Sequence, residues 1–202
     1  MTLWRGPKAL ILASQSSTRE MLLANAGLTF EAMPARIDER AIQRNSSISA
    51  PGEIAGLLAR EKALWVSQRK AGHHVIGADQ TLALSDHLFN KPADRAAAAE
   101  QVRALSGQTH ALHSAIAVAL GGRIMFETVV VARMTMRSLS DADIDAYLDA
   151  AGEAVTQSVG AYQLERLGVH LFERTEGDHS TILGLPLLPL LGFLRSQHLL
   201  AL

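Results

Sequence analysis

The chain has 202 residues, 48% hydrophobic and 19% charged, which excludes a disordered tail, a collagenous repeat or a coiled-coil rod and suits one catalytic domain. With 19 Lys and Arg against 20 Asp and Glu the formal net charge is -1, so no overall positive field exists to hold a nucleic-acid polymer or an anionic membrane. There is no cysteine, which removes disulfides, thiolate-held zinc and cysteine nucleophiles and fits a reducing, cytoplasmic setting.

In chain order, the apolar run within Lys8–Ser14 is too short for a signal peptide and reads as a buried strand. Ser16 caps a helix reaching Asn25, and Gly27 closes it before a short strand near Thr29–Met33, a β-α-β opening. The polar stretch Asp38–Ser49 is expected as a loop. A long helix follows from Pro51 to Arg69, with Ile54, Leu57, Leu58, Leu64 and Trp65 on one face, Glu61 near the middle of that face and Lys62 at its rim. His74–Asp79 reads as a second buried strand that ends in a carboxylate.

Asp94 caps an alanine-rich helix that Ser106-Gly107 ends. Gly121-Gly122-Arg123 joins Thr109–Leu120 to Ile124–Met136 as a long antiparallel hairpin, and Ser140 with Asp143 makes a capping box for a helix to Ala150, closed by Gly152. A strand near Val169–Glu173, a polar loop from Glu176 to Ser180 and a last helix complete the chain. The apolar run Ile182–Leu194 is too short to span a membrane and contains Pro186 and Pro189, so it is expected as a core helix with proline in its first turn. The pattern predicts an α/β fold with a mixed sheet and two lobes around a cleft.

Familiar nucleotide signatures are missing: the sequence has neither a P-loop nor the glycine fingerprint of a dinucleotide fold. His110 and His113 fall on opposite faces of their strand, which disfavours a shared metal, and Asn45-Ser46-Ser47 is a chance glycosylation match. What remains is a set of polar groups at element ends. Ser14, Ser16 and Arg19 sit at the first strand-to-helix turn, where free N–H groups and the positive end of the helix dipole suit a phosphate. Read singly, Ser16 is a helix cap, Asp38-Glu39 a pair of solvated carboxylates, and Lys62 and Lys91 ordinary lysines. Asp79 is harder to dismiss, because a carboxylate closing the run Val75–Ala78 is partly buried and needs a partner, a proton or a metal.

The order of these pieces carries a resemblance. Leu-Ile-Leu-Ala-Ser-Gln-Ser-Ser-Thr-Arg at 10–19, Asp38-Glu39, Leu58-Ala-Arg-Glu-Lys62-Ala63, Gly77-Ala-Asp-Gln80, Lys91-Pro92, Leu105-Ser-Gly107, Gly160-Ala-Tyr162, Glu176-Gly177 and Gly184-Leu-Pro-Leu187 together resemble the Maf family. Those proteins are nucleoside triphosphate pyrophosphatases, once named as inhibitors of septum formation. The resemblance runs from Lys8 to Arg195 and implies one domain over residues 1–202, of the α/β Maf/inosine-triphosphatase-like architecture, often a homodimer. It implies Asp79 as proton acceptor, Glu39 as the second acidic participant, and Ser14, Arg19, Lys62 and Lys91 as phosphate-facing residues, with Ser16 and Thr18 beside them in the same motif. A triphosphate needs Mg²⁺ or Mn²⁺, expected on Glu39 and Asp79, together with fixed cations.

The departures from the family pattern bear on specificity. The usual Pro-Arg-Arg of the first motif is replaced by Ser17-Thr18-Arg19, which removes one cation. Gln80 stands where the branch directed at dTTP and UTP has threonine, and Glu165 where that branch has glutamine. Both look like the branch acting on 7-methyl-GTP, since a carboxylate accepts from the guanine N1–H and amine, although that branch often has an aromatic residue at Thr18. Two other readings stay open: a pyrophosphatase for inosine and xanthosine triphosphates, and a non-catalytic regulator of cell division.

Overall fold

Buried strands that run continuously apolar belong inside a sheet covered on both faces, and the first strand obeys this rule in the computed structural model, which describes residues 3–202. In β1 (Leu10–Leu12), Leu10 and Leu12 join one core cluster while Ile11 joins another, and all three are inaccessible. The strand pairs in parallel with β2 (Phe30–Ala32) and with β3 (Val75–Leu84). Between β1 and β2 lies α1 (Ser17–Asn25), whose N-cap Ser16 accepts from the backbone N–H of Arg19. The hydrogen-bonded order of the seven strands described is β2-β1-β3-β5-β6-β7, with β4 (His87–Phe89) on β3; β5 is Thr109–Leu120, β6 Arg123–Met136 and β7 Phe172–Glu176.

The chain divides into two compact units. The first takes the residues up to Gln80, Ser114–Val130 and His179–Leu202. On one face of its strands Leu10, Leu12, Ile76, Ile116 and Val118 pack with Leu22 and Leu23 of α1 and with Leu190 and Leu194 of the last helix, α7 (Leu187–Ser196). α7 has Pro189 in its first turn, as the sequence predicts. Elsewhere in this unit Ala55, Ala59 and Ala63 of α3 (Pro51–Ser67) meet Ala115, Ala117 and Ala119 of β5.

This alanine seam overturns the expected orientation of α3. The face predicted from the large apolar residues is rotated: the buried set is Ile54, Ala55, Leu58, Ala59, Lys62, Ala63, Val66 and Ser67, and Leu57, Leu64 and Trp65 are only half-buried. Small residues let a helix lie close to a strand, so they claim the interface although they weigh little in a hydrophobicity pattern. Lys62 is therefore inside and Glu61 half-exposed, the reverse of the expectation.

Three further corrections concern short elements. The expected loop after β2 contains α2 (Glu39–Asn45), a helix with no buried residue, which an apolar-periodicity reading passes over; its cap Asp38 accepts from the Ala41 N–H at 2.9 Å. β3 does not end at Asp79 but continues to Leu84, then turns back into β4 through Ser85, whose φ is 53°. Residues Leu167–Leu171 form a 3-10 turn, and the strand expected at Val169–Glu173 is β7, three residues later. β7 is an almost wholly exposed edge strand defined by antiparallel pairing with β6 rather than by alternating side chains, and it takes in Glu176. The rest of the expected polar loop there contains the short helix α6 (His179–Ile182).

The second unit takes Thr81–His113 and Val131–Asp178. Its helices α4 (Arg95–Leu105), capped by Asp94, and α5 (Asp141–Ala151), with the predicted Ser140–Asp143 capping box, are tied by Arg95–Asp149 at 2.6 Å and Arg103–Asp141 at 2.8 Å. Among the described residues no helix is long and apolar enough to cross a membrane.

Candidate active site

Gly77 sets the spacing on which the site depends. A Cβ at this position would overlap the backbone oxygen of Ala59 and the backbone nitrogen of Ala63, so the bare glycine lets α3 settle against β3. Two residues on, Asp79 is on the same strand face as Gly77. The close approach brings Lys62 Nζ to 2.6 Å from Asp79 Oδ1, and the same ammonium reaches Glu39 Oε1 at 3.0 Å. The Asp79 and Lys62 side chains are each 11% exposed, whereas Glu39, the first residue of α2, is 48% exposed and forms the open edge of the cluster. Burial raises the Asp79 carboxyl above its ordinary range, against the pull of Lys62 and Arg19, and Glu39 adds to the rise. A carboxylate raised in this way is a stronger base than an exposed one.

The turn from β1 into α1 supplies a second charged group. The Arg19 guanidinium donates from Nε to Gly184 O at 2.8 Å and from one terminal nitrogen to Ala78 O at 2.9 Å and Ser14 Oγ at 3.3 Å. Burial lowers its pKa while Asp79 and Glu39 hold it up, and a guanidinium keeps its charge throughout. Ser14 Oγ also accepts from the Ser16 N–H at 3.2 Å, so Ser14, Ser16 and Arg19 form one hydrogen-bonded turn. Gly184 takes φ +88°, which glycine adopts without strain, and its carbonyl is turned onto Arg19.

Gln80 faces away from Asp79, as successive strand residues must. Its amide nitrogen lies 2.8 Å from Ser114 Oγ, 3.2 Å from Thr181 O and 3.0 Å from Ile182 O. Ser114 Oγ donates to Thr181 O at 2.7 Å, which leaves its lone pairs to accept. All three partners of Gln80 are therefore acceptors, which fixes the NH₂ group among them and leaves Oε1 as the atom presented elsewhere.

The structure thus gathers Ser14, Ser16, Arg19, Glu39, Lys62 and Asp79 in the first unit, with Gln80 next to Asp79 and Thr18 on the first turn of α1. Lys91 and Glu165 are both exposed residues of the second unit. Sequence reasoning missed Ser114, although a serine on the same strand face as Leu112, Ile116 and Val118 of β5 was a visible signal. It also missed the role of the Gly184 carbonyl, because a backbone acceptor has no signature beyond the glycine itself.

Comparison with known proteins adds an independent finding. The family model described as Maf, Maf-like protein, matches residues 9–197. The chain belongs to the Maf family. Over 201 residues, and the whole of both chains, it is 68% identical to a protein of Bradyrhizobium diazoefficiens named nucleoside triphosphate pyrophosphatase. A Nitrobacter hamburgensis protein of the same name is 66% identical over 202 residues, again the whole of both chains. A Rhizobium etli protein named 7-methyl-GTP pyrophosphatase is 53% identical over 188 residues, which cover 92% of this Maf chain and 94% of its relative.

Proposed function

We propose that this Maf chain is a nucleoside triphosphate pyrophosphatase that converts a nucleoside triphosphate and water to the monophosphate and pyrophosphate. The observation that carries the reading is the buried Lys62 ammonium held between Asp79 and Glu39, next to a buried Arg19, in a chain whose relatives at 68% and 66% identity bear that name. Opposed fixed charges at this density suit a substrate that brings several negative charges and must be attacked by water.

The donor set fits a divalent cation. Glu39 and Asp79 offer two hard carboxylate oxygens around one point, and Mg²⁺ or Mn²⁺ commonly takes one or two carboxylates and completes its shell with water and substrate phosphates. Among the described residues no third acidic, histidine or cysteine ligand joins them. Bound there, the cation supplies charge neutralisation at the phosphates and lowers the pKa of water. The geometry supports the following steps for the protein's own groups. Asp79, with its raised pKa, takes the proton from the attacking water as the new oxygen–phosphorus bond forms at the α-phosphate. The bond from the α-phosphorus to the oxygen bridging to the β-phosphate breaks, and the departing pyrophosphate takes that electron pair. The β1–α1 turn, with Ser14 and Ser16, and Lys62 orient the phosphates.

The base is read, in this proposal, by acceptors. With its nitrogen committed to Ser114, Thr181 and Ile182, Gln80 has only Oε1 to offer, an acceptor that favours a base edge rich in donors, as in guanine or 7-methylguanine. A panel of 7-methyl-GTP, GTP, dTTP, UTP, CTP and ITP, with phosphate and pyrophosphate measured separately, tests the proposal. Pyrophosphate as the direct product supports it, and orthophosphate as the direct product overturns it. The joint replacement of Gln80 by Thr and Glu165 by Gln should lower kcat/KM for guanine-type substrates selectively. A loss in equal proportion on every nucleotide would assign the pair to the fold instead.

A further inference from the structure

Lys62 occupies the place where the two candidate ligand carboxylates converge. Its nitrogen is 2.6 Å from Asp79 Oδ1 and 3.0 Å from Glu39 Oε1, and it is the cation that neutralises them in the substrate-free protein. A magnesium or manganese ion bound to both oxygens would have to lie about 2.1 Å from each, within the volume the ammonium fills. The two cations cannot share that point. Arg19 does not take part in the exchange, because its bonds to Gly184 O, Ala78 O and Ser14 Oγ keep it in place.

We infer that Lys62 is a resident competitor of the catalytic metal, so that the carboxylate pair is closed to free divalent cations and opens only when a polyphosphate gives the ammonium another anion to bind. The inference rests on the proposed pyrophosphatase reading and adds an order of events to it. Displacing Lys62 without a substrate moves a buried ammonium away from two carboxylates with nothing to replace them, and the arriving ion is repelled by the charge it must pass. A triphosphate removes both obstacles. Its oxygens accept the Lys62 ammonium, and the metal it carries finds the two carboxylates vacated. Glu39, half-exposed at the edge, is the first ligand the ion meets, and the buried Asp79 is the second. Metal selection then falls to the nucleotide complex in solution, and the empty enzyme does not scavenge ions.

The inference is tested without turnover. Manganese binding to the nucleotide-free protein is followed by the loss of the free-ion electron paramagnetic resonance signal, in the native chain and in Lys62→Met. The variant should bind Mn²⁺ roughly tenfold or more tightly, because a repelling unit charge has left the pair, and Lys62→Arg should show no gain. Adding Glu39→Gln to Lys62→Met should cancel the gain. Equal or weaker binding by a folded Lys62→Met overturns the inference.

If Lys62→Met does not fold, the native chain still decides. The ¹⁵N resonance of the buried Lys62 ammonium should stay in place when Mg²⁺ alone is added and move when Mg²⁺ is added with an α,β-methylene triphosphate. Movement with micromolar Mg²⁺ alone overturns the inference. Failure of the nucleotide panel, by contrast, would remove the pyrophosphatase reading and leave these binding results standing.

Discussion

Asp79 and His110 are both buried titratable residues on strands, and the molecule accommodates them in opposite ways. Around Asp79 the first unit assembles compensating charges: Lys62 in contact, Arg19 nearby, and Glu39 on the far side of the ammonium. Around His110 the second unit assembles neutral groups, with the Tyr162 hydroxyl 2.7 Å from Nε2, the Tyr162 and Phe172 rings at 5.7 and 5.8 Å, and no partner for Nδ1 among the described residues. Burial pushes the His110 imidazole down to about 4 and the Tyr162 phenol up, so both stay neutral at physiological pH. The comparison separates a place built to keep charge in low dielectric, where charge can act on a substrate, from one built to exclude it, where it only defines a core.

The largest expected effect breaks the charged cluster. Asp79→Asn keeps the shape and an acceptor for Lys62 but removes the base, and should lower turnover by about 10²–10⁴, or roughly 3–5 kcal/mol of barrier, with melting little changed. The acid limb of the native kcat/KM profile, which reports the free enzyme, should lie above the ordinary carboxylate range in the direction of the Asp79 shift, and should vanish in the variant. Near-native turnover in Asp79→Asn would end its catalytic role.

Next comes the neutral cluster. His110 binds a proton near 6.5 when unfolded and near 4 when folded, so its contribution is fully present above pH 6.5 and is lost as pH falls from there toward 4, because the unfolded chain then holds the extra proton. The loss is on the order of 3 kcal/mol, and urea titrations across that window should show a visibly flatter pH dependence for His110→Gln. Identical slopes in the two proteins would show that the imidazole is not what acid attacks.

Gly77→Ala probes the packing that brings the first cluster together. The added methyl meets the backbone of Ala59 and Ala63, where no rotamer can give way, and should cost about 1–3 kcal/mol while shifting Lys62 from Asp79. Thermal melts and kcat should fall together; stability falling alone would mean that the Lys62–Asp79 contact tolerates a displaced helix. The smallest effect is expected at Ser140→Ala in the second unit, which removes one side of a capping box and should cost about 1 kcal/mol of stability with kcat untouched. A drop in kcat there would tie α5 to the chemistry.

What was readable in advance follows a physical division. Ser16, Asp94 and Ser140 each announce a helix start because capping is a local bond between a side chain and an N–H two or three residues on, and all three were legible. The strand at Leu10–Leu12 and the Thr109–Met136 pair were legible because uninterrupted apolar runs and a Gly-Gly turn leave few alternatives. α2 was not, since a helix that buries nothing leaves no periodic trace, and β7 was placed three residues too early, since the bounds of an edge strand are set by its neighbour.

The candidate site divides along the same line. The resemblance to the Maf family singled out Asp79, Glu39, Lys62 and Arg19, because each stands in a motif of that family that is read without coordinates; taken singly, Glu39 and Lys62 passed as ordinary surface residues. The sequence by itself also determined that Gly77 is bare and that α3 carries alanines at 55, 59 and 63. Only the tertiary structure decided that the alanines rather than Leu57, Leu64 and Trp65 face the strands, that this rotation buries Lys62, and that its ammonium comes to rest between two carboxylates 17 and 23 residues away in the chain. Hydrophobic periodicity weighs side chains one at a time, whereas the facing of a helix is settled by which surfaces fit most closely, and that depends on a partner distant in sequence.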